Sequence, residues 1–134
     1  MTAGATGGRD GLAATADGSL DIELTTPKAL GGPGGAANNP ESLFAAGCSA
    51  CSPGALRYVA AQEKTKIPGD ARVSAIVGIG PRDDGEGFGI GVDLEVSLPG
   101  FEKSRAEDLV AKARVVCPYS HARKRNVDLP SAAA

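Results

Sequence analysis

Three cysteines and a single histidine are the residues of this 134-residue chain whose types and spacing best suit chemistry. Cys48 and Cys51 stand three apart in "GCSACSPG", Gly47 to Gly54, and Cys117 stands alone in "VCPYS". An odd count argues against a secreted disulfide framework. Cys48, Cys51, Cys117 and His121 could formally supply three sulfurs and a nitrogen to zinc. The x3 spacing from Cys117 to His121, and the lack of a knuckle-type glycine after Cys51, argue against that set, so no metal or cofactor is expected. Thiol redox chemistry remains. A cysteine becomes a good nucleophile where a helix N-terminus or a cation lowers its pKa. Arg9, flanked by glycines in "GGRDG", is a candidate cation, and its alternative is a solvated loop charge. A sulfenic acid is rescued most simply by a second thiol, and Cys51 has two candidates, Cys48 nearby and Cys117 far along the chain. The bland alternative makes each cysteine a small core residue.

The elements that must position these residues are legible from periodicity. "GLAATADGSLDIELTT" reads as two short strands around Asp17-Gly18, a type I′ hairpin signal, with Leu20, Ile22 and Leu24 alternating against polar residues. A Gly/Pro-rich loop follows from Pro27 to Pro40, long enough to suggest that function or a partner chain holds it. From Glu41 the pattern is helical, with Phe44, Cys48, Cys51, Ala55 and Tyr58 or Val59 recurring. Asn39 is the expected N-cap and Pro40 the first helical position. Pro53 predicts a break, with Ser52 capping a second helix whose positive end faces Cys51. Two strands then flank "PRDDGE", the second alternating cleanly through Phe88, Ile90, Val92, Leu94 and Val96. Residues 102–116 form an amphipathic helix with Leu109, Val110, Ala113, Val116 and Cys117 on its apolar stripe, ended by Pro118. "NVDLPSAAA" begins like a strand and stops at Pro130. The basic run "HARKR", His121 to Arg125, reads as a solvated face. The order predicts an α+β fold, helices on antiparallel sheet, and outer strands too short to close a sheet alone favour a dimer.

Two geometric limits apply to the site. In continuous helix the Cβ atoms of Cys48 and Cys51 lie about 5–6 Å apart, too wide for a disulfide near 3.8 Å. A thioredoxin-like pair would also follow a strand and open a helix, whereas this one comes late in a helical run. Glu41 precedes Cys51 by ten residues, about 15 Å on one helix. It reaches that thiol only across a sharp bend or from a partner chain; alone, it is a favourable charge at a helix start.

Composition narrows the function classes. Fourteen basic and sixteen acidic side chains leave a net charge of -2, which gives no electrostatic case for nucleic acid or a membrane surface. No apolar run approaches the roughly 20 residues of a spanning helix, and the N-terminus lacks the layout of a signal peptide. The expectation is a cytoplasmic protein of one domain, residues 1–134.

Taken together, "ATGGRDG", "LGGPGG", "NPESLFAAGCSAC" and "VCPYS" resemble, in order, the organic hydroperoxide resistance proteins, thiol peroxidases of the osmotically inducible protein C superfamily. The resemblance implies an intertwined α+β homodimer with two main helices per chain and sites at the subunit interface. It implies that Cys51 is the peroxidatic cysteine, passing through a sulfenic acid, and Cys117 the resolving one, giving a Cys51–Cys117 disulfide. By the same resemblance Arg9 stabilises the thiolate and polarises the peroxide, and Glu41 orients Arg9. Substrates would be fatty-acid or other organic hydroperoxides, and the reductant a lipoylated protein or dihydrolipoamide. The chain departs from the usual pattern at Cys48, normally aromatic, and at Ser52-Pro53, normally bulky and apolar. It also departs at its two ends, where edge strands are expected to be short or missing. Two other readings stand beside the peroxidase: a non-enzymatic redox sensor using a Cys48–Cys51 pair, and a structural dimer with unreactive thiols.

Overall fold

In a computed structural model, which describes residues 1–126 and 131–133, the chain forms two compact units. One comprises Met1–Leu43 and Ile79–Gly89, the other Phe44–Gly78 and Ile90–Ala134.

The first unit is built on a small antiparallel sheet of β1 (Ala3–Thr6), β2 (Leu12–Thr15) and β3 (Asp21–Glu23). Residues 3–6 thus supply an N-terminal strand, pairing Ala3 with Thr15 and Thr6 with Leu12. The hairpin at Asp17-Gly18 is present, but not as a type I′ turn. Only Gly18 has a positive φ, 71°, whereas type I′ needs two such residues. Asp17 is held otherwise: Thr15 Oγ1, Ser19 Oγ and the Ser19 N–H all donate to its carboxylate, and they bring its pKa down to about 2. The Gly/Pro-rich loop is folded back on its own start, with a 3-10 turn at Lys28–Leu30. The N–H of Gly32 donates to Pro27 O and that of Gly34 to Thr26 O.

The second unit holds most of α1 (Pro40–Gln62), whose first residues belong to the first unit. Asn39 caps α1 through a reciprocal bond. Its Oδ1 accepts from the Ser42 N–H at 2.8 Å, and Ser42 Oγ accepts from the Asn39 N–H at 3.0 Å. The helix does not break at Pro53, contrary to the sequence expectation. Proline removes one bond, to Ser49 O, at a cost of about 3 kcal/mol. Burial of Cys48 before it and of Ala55, Leu56, Val59 and Ala60 after it offsets that loss, since each large apolar side chain contributes about 1.5–3 kcal/mol.

The hairpin β4 (Arg72–Pro81) and β5 (Phe88–Ser97) is extended at β5 by β6 (Ser131–Ala133), which pairs in parallel. The strand thus comes after Pro130, and the expected one at Val127 to Leu129 lies outside the described residues. Val92, Leu94 and Val96 are buried as their alternation predicts, whereas Phe88 is exposed. Helix α2 (Lys103–Val116) buries Ala106, Leu109, Val110 and Ala113. Val116 falls off that stripe and is 43% exposed. Pro118 ends α2 and also opens a third helix, α3 (Pro118–Arg123). Within the basic run, Arg123 is a correction: it is buried, with its guanidinium 6.0 Å from the Phe44 ring centre and its Nε–H donating to Tyr119 O. The other members of the run are exposed. Among the described residues, no helix is long and apolar enough to cross a membrane.

Candidate active site

Arg9 sits in a 3-10 turn, Gly8–Asp10, entered through Gly7 and Gly8 at φ 73° and 61°, a region where a side-chain Cβ is strained. Glu41 occupies the first turn of α1. Although 32 residues apart, they form a bidentate pair: Nη1–H donates to Oε2 at 2.8 Å and Nη2–H to Oε1 at 2.7 Å. The Glu41 side chain is 10% exposed and that of Arg9 36%. Hydrogen bonds from Arg9 hold the Glu41 carboxyl below the usual carboxylate range, against its own desolvation. The same bonds raise Arg9. The fork–fork geometry fixes the guanidinium plane and leaves further N–H donors for an incoming anion.

The sulfurs form a second pair, in the second unit. Cys51, on α1, and Cys117, at the α2–α3 junction, lie with their Sγ atoms 2.9 Å apart across 66 residues of sequence. Both are free thiols, Cys117 buried and Cys51 half-buried. Cys117 closes α2 by donating its N–H to Ala113 O and caps α3 with Pro118 at the first position. The backbone of α3's first turn thereby bears on both sulfurs. Burial pushes the Cys51 thiol up, reinforced by Cys117, and the Tyr119 N–H partly opposes this. At Cys117, burial is outweighed by hydrogen bonds from the Cys51 thiol and from the Ser120 and Tyr119 backbones, and its pKa is lowered. Each sulfur therefore affects the titration of the other.

Cys48 is turned to a different environment, 1% exposed and packed with Val92 and Leu94. Burial raises its pKa. Because α1 is unbroken, Cys48 and Cys51 keep the helical spacing that is too wide for a disulfide. His121 is exposed on α3. Beside Cys51 opens a groove of about 610 Å³, lined by Cys51, Gly54, Ala55, Tyr58, Val116 and Pro118. It is wide enough for a small apolar chain, and one thiol faces it.

Sequence reasoning named Arg9, Glu41, Cys51 and Cys117, and the structure brings them together as two pairs. It placed the helix end that faces Cys51 at Pro53, whereas the donor comes from the Tyr119 backbone at the start of α3. The signal was present: a cysteine followed by proline, at the end of an apolar helix, is a helix start.

Comparison with known proteins shows the family. The family model for OsmC-like proteins matches residues 32–130. An organic hydroperoxide resistance protein of Xanthomonas axonopodis pv. citri is 50% identical over 125 residues, spanning 93% of this chain and 87% of the relative. A second such protein, from Bacillus subtilis, is 39% identical, spanning 93% and 90%. The crystal structure of an organic hydroperoxide resistance protein from Legionella pneumophila superposes with a TM-score of 0.91 at 42% identity, covering 99% of this chain and 95% of that one. An α+β chain with a thiol pair closed across its second unit, matched in sequence and in fold along nearly its full length, belongs to the OsmC-like family, among the organic hydroperoxide resistance proteins.

Proposed function

We propose that residues 1–134 act as a single cytoplasmic thiol-peroxidase domain that reduces organic hydroperoxides to alcohols. The observation that carries this reading is the 2.9 Å approach of Cys51 and Cys117. The Cys51 thiolate attacks the terminal peroxide oxygen. The O–O bond breaks, the alkoxide leaves and takes a proton to become the alcohol, and Cys51 becomes a sulfenic acid. The Cys117 sulfur then attacks the Cys51 sulfur and expels hydroxide, which leaves as water, and a Cys51–Cys117 disulfide forms. The groove beside Cys51 accepts the alkyl part of the substrate, and the names of the relatives support that substrate class.

Arg9 and Glu41 complete the site. A guanidinium beside Cys51 favours charge on that sulfur and so activates the nucleophile. Its remaining N–H groups stabilise the departing oxygen. The family resemblance implies an intertwined homodimer with sites at the subunit interface, and the Arg9–Glu41 pair is assigned to the thiol of a partner copy there. Dihydrolipoamide or a lipoylated protein supplies the two electrons that reopen the disulfide; the family resemblance supports this choice. The test is steady-state consumption of cumene hydroperoxide with dihydrolipoamide or thioredoxin as reductant. The proposal expects turnover with the former and none after Cys51→Ser. Normal turnover of Cys51→Ser would falsify it.

A further inference from the structure

We propose that Asp10 is a positioning residue, tying the turn that carries Arg9 to the loop that delivers Glu41; its effect on rate rests on the peroxidase reading above. The base of the Arg9 turn is closed by backbone alone. A Cβ on Gly11 would sit 1.7 Å from the Thr6 carbonyl oxygen, and one on Gly7 2.9 Å from the Gly11 Cα. The other side of the turn is held by a side chain. Asp10 Oδ1 accepts from the Thr26 N–H at 2.9 Å and from Thr26 Oγ1–H at 2.8 Å, bonds that keep its carboxyl below the usual range. Thr26 is itself braced. Its carbonyl accepts from the Gly34 N–H at 3.2 Å, and the neighbouring Thr25 N–H donates to Asn38 O at 2.8 Å. Asn39 then caps α1, and Glu41 follows two residues later.

The path closes on itself. It runs from Arg9 to Asp10, across to Thr26, along the glycine loop to Asn39 and Glu41, and back through the ion pair to Arg9, all within one compact unit. Two consequences follow from chemistry. A free carboxylate next to Arg9 in sequence would compete with Glu41 for the guanidinium, and Thr26 occupies it instead. The role also needs an acceptor oxygen at Oδ1 rather than a charge, so asparagine can fill it and alanine cannot.

The test is single-turnover consumption of cumene hydroperoxide by the reduced full chain, with Asp10→Ala, Asp10→Asn and Thr26→Val in both native and Arg9→Met backgrounds. Asp10→Ala is expected to slow the reaction by about tenfold through misplacement of Arg9. It should also raise the apparent pKa of the reactive thiol in the pH profile, since a loosened cation lowers that pKa less. Asp10→Asn should stay within about threefold of the native rate. In the Arg9→Met background Asp10→Ala should lose nothing more, because two residues acting as one unit are not additive. A second readout does not depend on activity: titration of the Glu41 carboxyl by NMR, expected to move up in Asp10→Ala and to hold in Asp10→Asn. Full additivity with Arg9→Met, or an unmoved Glu41 in Asp10→Ala, overturns the proposal. If Arg9→Met leaves the rate unchanged, the assigned role of Arg9 fails, and the Glu41 titration still decides the role of Asp10. Should Asp10→Ala not fold, Thr26→Val carries the test with the same readouts.

Discussion

Adding one methyl group at Gly47 tests how α3 is seated against α1. A Cβ at Gly47 would lie 2.6 Å from Tyr119 Cε2 and 2.9 Å from its Oη. An ordinary carbon contact is about 3.5–4.0 Å, so the ring must retreat by roughly an ångström. Tyr119 stacks on Phe44 with ring centres 6.3 Å apart, and its 42% exposure gives the ring room to swing outward. Gly47→Ala gains about 1 kcal/mol in helix propensity and loses about 1–3 kcal/mol to the forced contact. The expected net change is a destabilisation of up to about 2 kcal/mol. Once Tyr119→Ala has removed the ring, only the gain remains, and Gly47→Ala should stabilise by about 1 kcal/mol, about 4 °C in Tm for a chain of this size. The four proteins form a cycle read by urea denaturation, with a coupling energy of about 1–3 kcal/mol. Because the Tyr119 N–H bears on Cys51, Gly47→Ala should also slow disulfide formation, by up to about 100-fold for an ångström of displacement. A coupling below about 0.5 kcal/mol, the ordinary limit of additivity, would refute the close approach and the positional argument with it.

Three further outcomes are expected. Cys117→Ser should consume one equivalent of hydroperoxide, accumulate a sulfenic acid trappable by dimedone, and fail to turn over with dihydrolipoamide; sustained turnover would remove Cys117 from the mechanism. Cys48→Ala should lose about 1–2 kcal/mol of stability from the small cavity it leaves, measured by urea denaturation, and keep both peroxide consumption and the Cys51–Cys117 bond. Glu41 is held below its ordinary pKa by Arg9. Its contribution to stability should therefore be complete above about pH 4.3, its unfolded value, and be lost as the pH falls through the lower folded value. Glu41→Gln should flatten that part of the stability–pH curve measured between pH 7 and pH 3, and an unchanged slope would contradict the ion pair.

Much of this architecture is legible in the sequence because local rules and tertiary packing agree. Asn39 and Pro40 start a helix on propensity and capping alone, and the structure adds the Ser42 bond. Val92, Leu94 and Val96 alternate because one face of β5 is buried. The misreadings arise where tertiary packing overrides a local rule. Pro53 is a helix breaker by itself, but apolar residues bury along α1 on both sides of it. Arg123 belongs to a charged run by composition, yet a Phe44 ring and a backbone carbonyl draw it inward. Val116 continues the α2 stripe on paper and faces outward because the core ends at Ala113 and Cys117. The approach of Cys51 to Cys117 spans 66 residues and follows from no local pattern; the residue types made Cys117 one of two candidate partners, and only the family resemblance chose it. The bond from Asp10 to Thr26 leaves no periodic trace at all, because it depends on where two turns meet.

The central claim is that Cys51 reacts and Cys117 resolves. One equivalent of cumene hydroperoxide added to the fully reduced protein, followed by digestion without reduction and disulfide mapping by mass spectrometry, tests it most directly. The account predicts a rapid Cys51–Cys117 bond. A Cys48–Cys51 bond, or three thiols still free after the peroxide is added, would contradict it.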